Sequence, residues 1–136
     1  MPAILWPVLG HLALLNFLFV MVSCQRFVAV RDGAAEQNQF ARAGQEPERS
    51  RRWARNLDNQ FQVPMLFYAI VVLLLARDGA DGWQVALAWV FLFGRVVHTG
   101  VQVSGDDVRL RGMVFTVNYL AVMAMWGLLF LRELVR

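Results

Sequence analysis

Four apolar, charge-poor stretches follow one another along the chain, separated by clusters of arginine, aspartate and glycine. From Ala3 to Cys24 no charge occurs, although Pro7, His11 and Asn16 interrupt the run. That is long enough to cross a bilayer, which takes roughly 20 mostly apolar residues per helix. The second charge-free run, Asn59 to Ala76, is strongly apolar only from Val63, so its helix begins earlier, in the arginine-rich stretch near Ser50. The third runs from Gly82 to Gly105 with one charge inside, Arg95, and the fourth, Met113 to Leu131, has none. The pattern predicts helices over about 3–25, 50–76, 82–104 and 112–133 within a single domain, 1–136. A long polar segment, Gln25 to about Arg49, follows the first helix. The other connections, Arg77 to Asp81 and Ser104 to Gly112, are short enough to join antiparallel neighbours, with Gly79, Gly82, Gly105 and Gly112 as turn residues. The expected fold class is all-α, an integral membrane four-helix bundle.

Composition narrows the function classes. Of 136 residues, 58% are hydrophobic and 17% charged, whereas a soluble domain holds about half and about a quarter. A soluble enzyme and a disordered chain are both excluded. One cysteine, Cys24, and two histidines supply neither a disulfide scaffold nor a structural zinc cluster, so no metal site is expected. All 13 basic residues are arginine, which makes the charges permanent and rules out a lysine Schiff base. A net charge of +3 would suggest nucleic acid in a soluble domain. Here the arginines set membrane orientation and attract anionic lipid headgroups, and no nucleic-acid partner is expected. Arg26, Arg31, Arg42, Arg49, Arg51, Arg52, Arg55, Arg109 and Arg111 flank the first and third connections, against Arg77, Arg132 and Arg136 on the opposite side. The asymmetry predicts a multi-pass protein of a bacterial inner membrane with both termini outside the cytoplasm.

Polar residues that continue a helical face into the membrane carry the candidate chemistry. Arg52, Arg55, Asn59 and Gln62 follow i, i+3, i+7, i+10, and Arg95, His98, Gln102 and Asp106 follow i, i+3, i+7, i+11, so each set lies on one face. Arg95 sits about 15 Å inside its helix end at 1.5 Å per residue and must face the bundle. Asp58, Asn59 and Gln62 are its nearest candidate acceptors. It either bridges the second and third helices or shapes a polar ligand cavity. His98 reads more readily as a hydrogen-bonded packing residue than as a catalyst. For His11, Asn16, Thr116 and Asn118, interhelical hydrogen bonds are a sufficient role. Trp6, Trp53, Trp83 and Trp126 suit an interfacial belt. Arg109 and Arg111 stand at the mouth of the last hairpin. Together with the two stripes they form a positively charged, hydrogen-bonding recess open to the cytoplasm and walled by apolar helices. Such a recess suits an anionic, peptide-like ligand beside a lipid-soluble one. No nucleotide-binding glycine loop, metal-ligand set or serine triad competes with it.

Several of these residues carry a resemblance. Arg55-Asn56-Leu57-Asp58-Asn59 entering the second helix, Pro64 soon after, and Gly94-Arg95-Val96-Val97-His98-Thr99-Gly100 in the third make the chain resemble the MAPEG family, the membrane-associated proteins of eicosanoid and glutathione metabolism. The motifs are most similar to those of its microsomal prostaglandin E synthase and glutathione transferase branches. The resemblance covers nearly the whole chain and implies a homotrimer. Glutathione would bind between subunits near the cytoplasmic face, and a lipophilic small molecule or lipid would arrive from the bilayer. Carried over residue by residue, it places Arg55, Asn59, Gln62, Arg95 and His98 on glutathione-contacting faces and Arg26 on a basic position that holds the tripeptide. Arg52 and Gln102 extend the same faces. Arg109 or Arg111 falls on the arginine that activates the thiol. Gln62 stands where members commonly carry glutamate, and Gln102 where several carry tyrosine; Asp58 is the acid available nearby. The implied function is a glutathione-dependent membrane transferase or peroxidase acting on a lipophilic electrophile. The alternative is a non-catalytic lipid-binding or scaffold protein of the same fold. A small multidrug pump is disfavoured, because its intramembrane carboxylate is missing.

Overall fold

The structure is a computed structural model describing residues 1–41, 45–105 and 107–135; Arg42, Asp106 and Arg136, which entered the charge count and the third-helix stripe, lie outside the described residues. The regular elements are helices α1 (Leu5–Arg31), α2 (Glu48–Asp58), α3 (Val63–Ala76), α4 (Gly82–Ser104) and α5 (Val108–Leu134), with 3-10 turns at Gln37–Ala41 and Asn59–Phe61. Four stretches, Leu5–Arg31, Glu48–Ala76, Gly82–Ser104 and Val108–Leu134, are long and apolar enough to cross a membrane.

Helix ends differ from the expected ones for local reasons. α1 runs past residue 25 because no glycine or proline intervenes before Gly33. That residue adopts a φ of 70°, and the chain turns there with Ala34 N–H donating to the Ala29 carbonyl at 2.8 Å, a left-handed helix ending that glycine favours. Arg26 therefore lies within the helix and not beyond it. α5 begins at Val108 because the Asp107 carboxylate accepts from Leu110 N–H at 3.0 Å, a side-chain N-cap. Arg109 and Arg111 consequently stand in the opening turn of α5 rather than in a loop. Asp81 caps α4 in the same way, accepting from Gln84 N–H at 3.0 Å.

The helix expected over 50–76 is interrupted. Gln62 has φ −99° and ψ −97°, far from helical values, and Pro64 follows in the first turn of α3. A proline has no N–H to offer the carbonyl four residues back and its ring clashes with it, whereas it is accommodated in a helix's first turn. The chain resolves the conflict by ending one helix and starting another.

The interior divides into two zones. One is apolar, built from Phe67, Ile70 and Leu74 of α3, Ala88 and Phe91 of α4, and Val122 and Met125 of α5, with the Phe67 and Phe91 rings stacked at 4.2 Å. The other holds buried His11, Asn56, Gln60, Arg95, His98, Thr99, Gln102 and Asn118. The outside is apolar, with Phe27, Val72, Phe93 and Phe130 all exposed. No more than 39% of any span's apolar stretch is buried in the bundle, so most of it faces outward. That is the surface of an integral, multi-pass membrane protein.

The isolated polar residues take different roles. His11 makes interhelical hydrogen bonds to Tyr68 and Gln60. Asn16 and Thr116 instead donate to carbonyls one turn back in their own helices, Leu12 and Gly112, each at 2.9 Å. Asn118 is wholly buried with neither amide atom hydrogen-bonded. It lies against Gly94, where any side chain would collide with it.

Candidate functional site

A cavity of about 580 Å³ lies where the end of α2 meets α4 and the start of α5. Arg55 and Asp58 come from α2, Asn59 and Gln62 from the interrupted segment, His98 and Gln102 from α4, and Arg111 from α5, with Val108, Gly112 and Phe115 as its apolar side. Arg55 and Asn59, and likewise His98 and Gln102, are four apart and share a face. Asn59 Nδ2 donates to Gln102 Oε1 at 3.0 Å, joining the two stripes across the floor. The His98 ring packs 6.3 Å from that of Phe115, and its Nδ1 is buried without a hydrogen-bond partner.

The cavity brings together Arg55, Asn59, Gln62, His98, Gln102 and Arg111. It does not include Arg26, Arg52, Arg95 or Arg109. Arg26 lines a neighbouring cavity of about 450 Å³, which shares Arg55 and Asp58 with the first. There Arg26 Nε and Nη2 donate to the Glu46 carboxylate at 2.8 and 3.3 Å, and its guanidinium lies 5.4 Å from the centre of the Phe40 ring. Arg52 donates to Glu48 at 3.2 Å, and Arg51 pairs with the same carboxylate. Arg109 is exposed and Arg111 half-buried.

Arg95 is fully buried. Its partners are not Asp58 or Gln62: Nε donates to Gln60 Oε1 at 3.0 Å and Nη2 to the Asn59 carbonyl at 3.1 Å. Because a guanidinium can only donate, the Gln60 oxygen must face it. That fixes the amide: its nitrogen donates to the Asn56 carbonyl and Oδ1, each at 3.2 Å. His11 Nε2 then donates to the same Gln60 oxygen at 3.1 Å, and the Tyr68 hydroxyl donates to His11 Nδ1 at 2.6 Å. Thr99 completes the set with Asn56 Oδ1 at 3.4 Å. Gln60 and Tyr68 carry no expectation from the sequence, and Asn56 and Thr99 enter it only as members of the two motifs, without a role of their own. The available signal was the i, i+4, i+8 spacing of Asn56, Gln60 and Pro64, which marks a face next to the arginine-bearing one.

Chemically, the cavity offers two guanidinium groups for anions, four neutral polar side chains for peptide groups, one carboxylate for a cation, and an apolar side. Among the described residues no group of three His, Cys, Asp or Glu could hold a metal ion. The fold and cavity define a multi-pass, all-helical membrane protein with a polar site at one end of its bundle. The MAPEG family profile matches residues 3–131, and the chain belongs to that family. No curated protein and no solved structure matches it.

Proposed function

We propose that the protein is a glutathione-dependent transferase or peroxidase acting on a lipophilic electrophile in the membrane. The observation that carries this reading is one cavity holding Arg55, Asn59, Gln62, His98, Gln102 and Arg111 beside Val108 and Phe115. Its volume of about 580 Å³ falls within the range of about 300–1,000 Å³ usual for small-molecule sites. Its donors suit a tripeptide bearing two carboxylates and amide groups, and Asp58 suits the ammonium. The assembly proposed is a homotrimer with the ligand between subunits, where Arg26 and Arg52 of a neighbouring copy would extend the anion-binding surface. The cavity would face the cytoplasm. The nearest branch of the family, by motif, is that of microsomal prostaglandin E synthase and glutathione transferase.

Glutathione, when bound, supplies the sulfur nucleophile that bonds to the electrophilic carbon as a leaving group departs. The chain's own part is to hold and to polarise. Arg55 pairs with a ligand carboxylate, Asn59, Gln62 and Gln102 hydrogen-bond the peptide groups, and Val108 and Phe115 give the lipophilic reactant an apolar wall. Arg111 supplies a permanent positive charge that favours the thiolate over the thiol, whose ordinary pKa is near 8.5; the proton released goes to solvent.

The test is a glutathione titration of detergent-purified protein, with thiolate absorbance followed at neutral pH and the mass of the assembly measured alongside. Saturable binding with thiolate formation in a trimer is expected. Absence of binding would overturn the reading in favour of a lipid-binding scaffold, and a stable monomer would remove the intersubunit site.

A further inference from the structure

Arg95 is the largest side chain wholly enclosed by the bundle, and among the described residues no carboxylate pairs with it. A buried cation without a counter-ion depends on the hydrogen bonds its donors make, and although Arg95 Nη1 is buried without a partner, other donors of the guanidinium are used. Two of them grip neighbouring residues of the interrupted segment: the side chain of Gln60 and the main chain of Asn59, at 3.0 and 3.1 Å. This is the stretch in which Gln62 leaves helical geometry and Pro64 cannot donate to the Gln60 carbonyl. The next link is short. Asn59, held by its carbonyl, donates through its side chain to Gln102 at 3.0 Å, and both line the cavity that Arg95 itself does not reach.

We infer that Arg95 is a positioning residue: it clamps the interrupted segment 59–62 and so presents Asn59 and Gln62 to the ligand, without touching the ligand. The inference rests on the glutathione reading for its ligand but not for its geometry. The planar fork matters, because lysine carries its three donors on one nitrogen at the end of a flexible stem and lacks the rigid, pre-organised spacing with which the guanidinium meets two acceptors side by side.

The experiment compares Arg95→Gln, Arg95→Lys, Asn59→Ala and the double variant Arg95→Gln/Asn59→Ala in detergent-purified protein. Hydrogen exchange without ligand reads the clamp, and glutathione affinity reads its consequence. Arg95→Gln should speed amide exchange across residues 59–63 while leaving the apolar zone of α4 and α5 unchanged. It should weaken glutathione binding about tenfold to a hundredfold, the effect of losing a charged hydrogen bond, and Arg95→Lys should lose less. The double variant should bind no more weakly than the worse single variant, since both changes break one chain of contacts. Multiplying losses would show that Arg95 acts on the ligand independently and would overturn the inference. Unchanged exchange at 59–63 would do so as well. Should Arg95→Gln fail to fold, Arg95→Lys carries the test through the same localised rise in exchange. If wild-type protein does not bind glutathione at all, the proposed function fails, while the exchange measurement still decides the clamp.

Discussion

Arg109 and Arg111 are two residues apart in the first turn of one helix and have different surroundings. Arg111 is half-buried and lines the cavity, whereas Arg109 is exposed and lies outside it. Positions i and i+2 on a helix do not share a face, and of the pair only Arg111 lines this cavity. The sequence could not separate them, because the separation depends on Asp107 starting the helix at Val108. Replacing Arg111 with Leu is expected to reduce the fraction of bound glutathione present as thiolate at neutral pH, with about 1.4 kcal/mol of preferential stabilisation lost for each unit by which the thiol pKa rises. Arg109→Leu should leave that fraction nearly unchanged. Equal losses in the absorbance titration would place both charges at the sulfur and contradict this assignment.

Among the elements, the contact between α4 and α5 turns on Gly94. Asn118 is enclosed there with both amide atoms unsatisfied, and a methyl group on Gly94 would collide with it. Overfilling a packed interior costs about 1–3 kcal/mol, so Gly94→Ala should lower the thermal midpoint in detergent. Asn118→Ala in the same chain should restore it, since the obstructing amide is removed. A midpoint unmoved by Gly94→Ala would mean that the two helices are not this close. The elements themselves were mostly legible: four hydrophobic runs give four crossings because each must match the thickness of a bilayer. The split of the second crossing is the exception: hydropathy and charge run on without a break there, and only Pro64 marks the place. A stripe such as Arg52, Arg55, Asn59 and Gln62 assumes one continuous helix. Arg55, Asn59 and Gln62 still meet in one cavity, but Gln60, on the adjoining face, turns inward to accept from Arg95, with its amide nitrogen held by Asn56. Spacing along a single helix cannot say which of two adjoining polar faces its neighbours will cover, because that depends on where His11 and Arg95 arrive from other helices.

For the whole molecule, the asymmetric distribution of arginine leads us to expect the cavity end of the bundle at the cytoplasmic side. In protein lacking Cys24, a cysteine at exposed Asn38 should react with a membrane-impermeant reagent only from the cytoplasm, and one at exposed Val135 only from the opposite side. The reverse pattern would invert the route by which a water-soluble thiol arrives. The interruption of the second crossing then sets a depth. α3 contains 14 residues, which at 1.5 Å each reach about 21 Å, short of a hydrocarbon layer about 30 Å thick. If Arg77 stands at the far surface, Asn59 and Gln62 would be submerged beneath the near one, at a level where water and acyl chains compete for the same space. Membrane thickness thereby becomes a variable of the site: lipids with longer chains should draw the cavity mouth under and weaken glutathione binding, and thinner bilayers should relieve it. Affinity independent of chain length in reconstituted bilayers would put the floor of the cavity at the aqueous surface instead.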